Sequence, residues 1–283
     1  MESTHCFGHL ENLIGVYCAP SKYTAKPTAV VMITAGMLHH VGPMRMHVQL
    51  AKQLSERGVA SLRFDLSGIG ESLAVASHGT SLERAQREVA EAMNWLQQQF
   101  GFEQFVLFGL CSGADDALAT AVHDERVVGI SVIDGCGYRT RRFYTNLIHR
   151  KYWPKLLSPQ KWIEKLGTRG THHSTAQSMP IGVDIREYPA QPIAEQQLNI
   201  LLKRCVHMQF VYTGGAIDYY SYADQFFEMF PSLPRCEQIT VEYLPEADHL
   251  LMLQSDRKQL IEKLADWIAQ VSGSPAHYST LSA

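Results

Sequence analysis

Cys111 is the residue of this sequence whose type and surroundings most clearly predict chemistry. It is the centre of Gly109-Leu110-Cys111-Ser112-Gly113, which follows an apolar strand pattern at residues 104–110. A strand that runs into a Gly-x-nucleophile-x-Gly turn and then into a helix holds the central side chain clear of the backbone. A cysteine at that position predicts covalent acyl transfer through a thiolate.

Ser112 is the neighbouring alternative as nucleophile. If the turn is shifted so that Ser112 is central, Leu110 and Ala114 fall where the turn needs glycine. Side chains there would crowd the backbone, so the shifted register is disfavoured. Ser112 is instead predicted to donate its backbone N–H to an oxyanion hole. The second predicted donor is the N–H of Met37, in the loop after an earlier strand.

The base predicted to activate the thiol is His249. It follows a strand pattern at residues 238–244 and precedes an apolar helix pattern. This places it beyond the carboxyl end of a strand, where open α/β sheets carry their sites. Such a nucleophile–base pair also needs an acid that orients the imidazole.

Asp218 is the acid that the order of residues along the chain favours. It lies between Cys111 and His249, after a strand pattern at residues 208–212 and a loop containing two glycines. The order nucleophile, acid, histidine recurs in enzymes with this turn, so we predict a Cys111–Asp218–His249 triad. The alternatives left open for the acid are Asp134, at the end of the strand after the turn, and Asp224.

Alternating strand and helix patterns predict an α/β fold, in which a mostly parallel, doubly wound sheet is covered by helices on both faces. The predicted strands are 29–34, 59–64, 104–110, 127–133, 208–212 and 238–244, and the predicted helices are 46–57, 81–100, 112–123, 222–230 and 254–271. Aromatic and basic residues cluster after residue 136. We therefore predict a core of residues 1–136 and 201–283 with an inserted helical cap at 137–200. The alternative is a surface elaboration with no role in binding.

Composition narrows the classes of partner and compartment. The formal net charge of −3 gives no field that would attract nucleic acid or an anionic membrane. No run approaches the roughly 20 apolar residues of a membrane span, and the chain starts without the pattern of a signal peptide, so a cytoplasmic location is predicted. The six cysteines and 13 histidines lack metal-ligand spacing, and neither a metal nor a cofactor is predicted.

Several segments resemble the α/β-hydrolases associated with exosortase protein-sorting systems. They are Gly36-x-x-His39-x-x-Gly42-Pro43-x-Arg45, Leu62-Arg63-Phe64-Asp65-Leu66-Ser67-Gly68-Ile69-Gly70-Glu71-Ser72, Gly109-Leu110-Cys111 and, for the cap, Arg150-Lys151-Tyr152-Trp153. The resemblance implies an α/β-hydrolase fold, a Cys-Asp-His triad and hydrolase activity. It does not define the substrate.

The predicted function is hydrolysis of a small acyl ester or thioester, the latter carried on coenzyme A or a carrier, through a thioacyl-enzyme. The alternatives are an acyltransferase that passes the acyl group to an acceptor other than water, and a binding protein that keeps the fold without catalysis. The predicted substrate-binding residues are Arg45, His39, Tyr144 and Trp153. For Arg45, a structural pairing with an acid such as Asp65 is an equal alternative.

Overall fold

Runs of β-branched and aromatic residues form the strands of the fold. The computed structural model describes residues 1–21, 26–75, 78–151 and 188–273. Its strands are β1 (Glu2–Phe7), β2 (Leu13–Cys18), β3 (Thr28–Ile33), β4 (Ala60–Phe64), β5 (Gln104–Leu110), β6 (Val127–Ile133), β7 (His207–Thr213) and β8 (Ile239–Leu244). Its α-helices are α1 (Met46–Glu56), α2 (Ser81–Phe100), α3 (Ser112–His123), α4 (Arg141–Lys151), α5 (Gln191–Lys203), α6 (Gln225–Met229) and α7 (Gln254–Val271).

The strands form one sheet in the order β1-β2-β4-β3-β5-β6-β7-β8. The β1–β2 and β2–β4 pairs are antiparallel and the other pairs are parallel. Helices α1 and α7 pack on one face, and α2, α3, α5 and α6 pack on the other. The central strands are therefore buried on both sides, as parallel strands require. The predicted mostly parallel, doubly wound sheet is confirmed.

Two features of the fold differ from the sequence-based prediction. Strand β1 was not predicted, because it is an edge strand whose only buried residue is Phe7 and so shows no apolar pattern. Strand β2, which pairs with both β1 and β4, was not predicted either. The helix predicted at residues 222–230 is reduced to the short α6. It ends before Pro231, and a residue that precedes proline is disfavoured in the α conformation.

The predicted cap lies only partly within the described residues. Helix α4 falls inside it, whereas α5 crosses its predicted boundary at residue 200. Ala194, Leu198 and Leu201 of α5 are buried in the same core as α3, so this helix belongs to the layer over the sheet. Residues 152–187, which include Trp153, lie outside the described residues, and a cap there stays a prediction.

Parallel pairing brings the carboxyl ends of β3, β5, β6, β7 and β8 to one edge of the sheet. The loops after these strands carry Met37, Cys111, Asp134, Gly214 and His249. Open α/β sheets place their sites at such an edge. Among the described residues, no helix has the length and apolar character needed to cross a bilayer.

Candidate active site

Cys111 occupies a strained turn between β5 and α3, with φ 55° and ψ −119°. The flanking glycines are needed for steric reasons. A Cβ on Gly109 would overlap the carbonyl of Gly113, and a Cβ on Gly113 would lie 2.5 Å from the carbonyl oxygen of Thr34. The turn therefore has the geometry of a nucleophile elbow, with the cysteine at its centre.

Ser112 ties this turn to the loop after β3. Its Oγ accepts a hydrogen bond of 2.6 Å from the N–H of Gly36. Met37, the next residue of that loop, follows directly. The N–H groups of the first helical turn have no acceptor within their own helix, so the Ser112 amide at the start of α3 is suited to bind an anion. The oxyanion hole formed by Met37 and Ser112 stays a prediction.

The carboxylate bonded to His249 belongs to Asp134. The distance from His249 Nδ1 to Asp134 Oδ2 is 2.7 Å, and the Asp134 side chain is fully buried. His249 also forms a side-chain hydrogen bond with Cys111. Because Nδ1 is hydrogen-bonded to Asp134, Nε2 is the ring nitrogen that can exchange a proton with the Cys111 thiol. The structure thus brings Cys111, His249 and Asp134 together in one chain of contacts.

The predicted pairing of Asp218 with His249 is not found, and Asp134 takes its place. Asp218 is exposed, and its backbone carbonyl accepts a 2.8 Å hydrogen bond from Arg139 Nε. Asp224, the other alternative, is paired with Arg235. The physical reason lies in the backbone of Asp134, where a φ of 49° accompanies a side chain that bonds both to β7 and to His249.

Hydrogen bonds from the end of the neighbouring strand β7, and from the loop after it, hold Asp134 in place. The N–H of Thr213 donates to Oδ1 at 2.7 Å, and the Thr213 hydroxyl donates to Oδ2 at 2.6 Å. The Tyr219 hydroxyl donates to the Asp134 backbone carbonyl at 2.9 Å. Sequence reasoning missed Thr213 and Tyr219. The one feature that could have indicated Thr213 is its place at the end of β7, the strand next to β6, which Asp134 directly follows.

The His249 loop is fixed by its own neighbours. The two carboxylate oxygens of Asp248 accept the N–H groups of the residues two and four positions later, at 2.9 and 3.0 Å. Arg257, which is buried in α7, donates to the carbonyl of Leu251 at 2.6 Å. His249 therefore lies on a closed turn that is anchored to a helix.

Comparisons with known proteins agree with this architecture. The family model described as serine aminopeptidase, S33, matches residues 25–161. The polyketide transferase GrgF of a Penicillium species is 29% identical over 99 residues, which are 33% of this chain and 34% of that protein. The match thus spans about a third of the length of that relative.

Solved structures match over nearly the whole chain. The α/β-hydrolase GrgF from Penicillium sp. sh18 has a TM-score of 0.59 at 14% identity and covers 97% of this chain and 100% of its own. The chain has the α/β-hydrolase fold. A dienelactone hydrolase from Anabaena variabilis (TM-score 0.56, 13% identity, 95% and 98% covered) and a thermophilic esterase from Thermogutta terrifontis (0.54, 18%, 96% and 99%) share it.

The pKa of His249 is strongly shifted by its neighbours in this fold. The hydrogen bond to Asp134 raises the pKa of His249 from 6.5 to about 10, the hydrogen bond with Cys111 acts in the same direction, and burial opposes both. Both hydrogen bonds therefore favour the protonated, imidazolium form of His249. A cation beside a sulfur atom stabilises the thiolate, which is the nucleophilic form of cysteine.

The raised pKa makes the stability of this protein depend on pH. The contribution of His249 is fully present below pH 6.5, the value of the free side chain, and is lost as pH rises through about 10. We expect the difference in free energy of unfolding between the wild type and His249→Gln to shrink across that window. Denaturant titrations near pH 6.5 and near pH 10 measure this difference in free energy. A difference that stays constant would contradict the raised pKa of His249.

A second buried pair links the loops after β3 and β4. The carboxylate of Asp65 accepts the His40 N–H at 2.5 Å, His40 Nδ1 at 2.8 Å and the Glu71 N–H at 3.1 Å. Burial favours the neutral acid, but these hydrogen bonds outweigh it and lower the pKa of Asp65. The alternative partner predicted for Arg45 is thus taken by His40.

The same three residues form the one group, among those described, that offers metal-ligand atoms close together. The candidate atoms of His40, Asp65 and Glu71 lie within 4.8 Å of one another. His40 and Asp65, however, are already hydrogen-bonded to each other. We therefore assign this group a structural role in joining the two loops.

Of the predicted substrate-binding residues, three lie on the described surface. His39 is exposed in the loop that carries Met37, and Arg45 is exposed just before α1. Tyr144 on α4 is half exposed and packs edge-on against the Phe143 ring. Their roles in substrate binding stay predictions.

Proposed function

We propose that the protein is an acyl-transfer enzyme that hydrolyses small acyl esters or thioesters through a covalent thioacyl intermediate. The observation that carries the proposal is the chain of contacts from Cys111 through His249 to Asp134, built on a strained turn. A cysteine sulfur held in that turn, with its proton on the hydrogen-bonded imidazole, is a poised nucleophile.

The reaction follows from the positions of these groups. With the thiol proton of Cys111 held on His249 Nε2, the sulfur attacks the substrate carbonyl carbon, and the carbonyl electron pair moves onto its oxygen. As the tetrahedral intermediate collapses, the bond to the leaving group breaks and the leaving group takes a proton from His249 Nε2. Water then gives a proton to Nε2 and attacks the thioacyl carbon, so the acid product leaves and Cys111 is restored.

Charge on the substrate oxygen needs donors at the elbow. The Ser112 amide opens α3, whose N-terminus carries partial positive charge, and the Met37 amide follows the Gly36 amide anchored on Ser112. We assign these two N–H groups to the oxyanion. Removing one donor from such a site costs catalysis about a hundredfold to a thousandfold.

Thioesters are the substrates that best suit a cysteine nucleophile. Exchange of one thioester for another is nearly neutral in energy, so the acyl group stays activated on the enzyme. We propose an acyl group carried on coenzyme A or a carrier. An acyltransferase is the second candidate, which the likeness to the polyketide transferase favours.

The finer family assignment and the compartment are also proposals. The segments around Gly36, Phe64 and Cys111 support membership of the exosortase-associated hydrolases. All six cysteines lie among the described residues and none is in a disulfide, which suits a reducing compartment such as the cytoplasm.

Intact-protein mass spectrometry tests the proposal directly. The wild type mixed with a panel of acyl thioesters and activated esters should gain the mass of one acyl group, and Cys111→Ala should gain none. Cys6→Ala is the matched control, because Cys6 is an exposed thiol on β1. It should acylate like the wild type.

The fate of the adduct separates the two candidate functions. Loss of the acyl group to water identifies a hydrolase, whereas loss only after an amine, alcohol or thiol is added identifies a transferase. Turnover that persists in Cys111→Ala would contradict covalent catalysis at this residue. A wild type that neither acylates nor turns over any member of the panel would favour a binding protein.

A further inference from the structure

We propose that Thr213 is a positioning residue that fixes both members of the His249–Asp134 pair. The inference rests on the proposed function, because the pair matters for rate only if Cys111 is the nucleophile. The hydrogen bonds at the end of β7 carry it. Thr213 itself is fully buried.

Thr213 holds the Asp134 carboxylate by both of its oxygens. One residue supplies a donor to each oxygen of Asp134, its N–H to Oδ1 at 2.7 Å and its hydroxyl to Oδ2 at 2.6 Å. Two donors on one rigid residue prevent the carboxylate from rotating about its Cβ–Cγ bond. Oδ2 is also the atom that bonds His249, so the hydroxyl sets the direction in which the imidazole is held.

Thr213 also stabilises the turn that follows it in the chain. Its Oγ accepts the N–H of Gly215 at 3.2 Å and caps the 3-10 turn Gly214–Ala216. This turn packs directly on the loop of the base, where a Cβ on Gly215 would lie 2.6 Å from the Cβ of His249. One hydroxyl therefore orients the acid and also shapes the surface against which the histidine rests.

The two hydrogen bonds of the hydroxyl are chemically compatible. A threonine hydroxyl has one proton to donate and lone pairs to accept. Here the proton goes to Asp134, and a lone pair receives the Gly215 N–H. Valine keeps the shape of the side chain but loses both bonds, whereas serine keeps both bonds and loses only a methyl group.

The test compares Thr213→Val with Thr213→Ser, and Thr120→Val serves as the matched control. Thr120 is also buried, and its hydroxyl donates to the backbone carbonyl of Asp116 at 2.8 Å. The first measurement needs no substrate. It is the low-field NMR resonance of the proton on His249 Nδ1. The second is kcat and KM on the best acyl substrate.

Thr213→Val should shift or broaden the Nδ1–H resonance and lower kcat by about 10- to 100-fold at unchanged KM, because hydrogen bonds to charged groups are among the stronger ones. Thr213→Ser and Thr120→Val should match the wild type in both readouts. The proposal would be overturned if Thr213→Val kept the resonance and the kcat of the wild type. It would also be overturned if Thr213→Ser lost as much kcat as Thr213→Val. If the wild type shows no turnover, the proposed function fails, while the resonance still decides the role of Thr213.

Discussion

Asp134→Asn should slow acylation of Cys111 by about a thousandfold to ten-thousandfold, as loss of the acid does in other triads. Thr213 donates to both carboxylate oxygens of Asp134, so an amide NH₂ group would oppose a donor on whichever side it lies. If it faces His249, the imidazole must reverse its tautomer and present the wrong nitrogen to the thiol. The loss of the negative charge removes the main cause of the raised His249 pKa.

Asp218→Asn is the matched control, since it makes the same chemical change at an exposed position five residues beyond β7. Surface substitutions remote from a site have small effects, and we expect a rate within about twofold of the wild type. Single-turnover acylation followed by quenched mass spectrometry measures both variants. A large loss in Asp218→Asn with little change in Asp134→Asn would restore the acid that the sequence favoured.

Gly113→Ala should destabilise the protein by about 3 kcal/mol or more, because it overpacks a site bounded by backbone. The added Cβ would lie 2.5 Å from the carbonyl oxygen of Thr34 and 2.8 Å from that of Ile33. Backbone atoms at the end of a central strand cannot move aside as the end of a flexible side chain can. Helix α3 would have to shift away from β3 and carry the elbow with it.

Gly101→Ala is the matched glycine variant. Gly101 ends α2 with φ 75°, and its added Cβ would meet nothing within 4 Å. It should cost only about 1 kcal/mol, the penalty of a left-handed conformation for alanine. Denaturant unfolding of both variants measures the difference. Equal destabilisation would contradict the steric requirement for glycine at position 113.

The elbow could be predicted because its signals are local. The bounds of β5, α3 and β6 agree with those read from residues 104–110, 112–123 and 127–133. An apolar run, two glycines at fixed spacing and a helix follow one another within 30 positions of the chain. Each constrains the next, so periodicity and steric reasoning were sufficient.

The acid could not be chosen in the same way, because the choice depends on which loops meet in space. Asp134 and Asp218 both follow strands at the same edge of the sheet. What separates them is the direction of the Asp134 side chain, set by a positive φ, and two donors on Thr213 that are 79 residues away. The His40–Asp65 pair was missed for the same reason, since it joins loops 25 residues apart.

The acid on β6 also bears on how this protein can evolve. The Cys111 N–H bonds the carbonyl of Ile133 at 2.9 Å, directly before Asp134, so nucleophile and acid are tied to adjacent central strands. Positions such as Ile217 and Asp218, exposed at the rim after β7, are then released from supplying a carboxylate. Substitutions at this rim should therefore leave the contacts among Cys111, His249 and Asp134 unchanged.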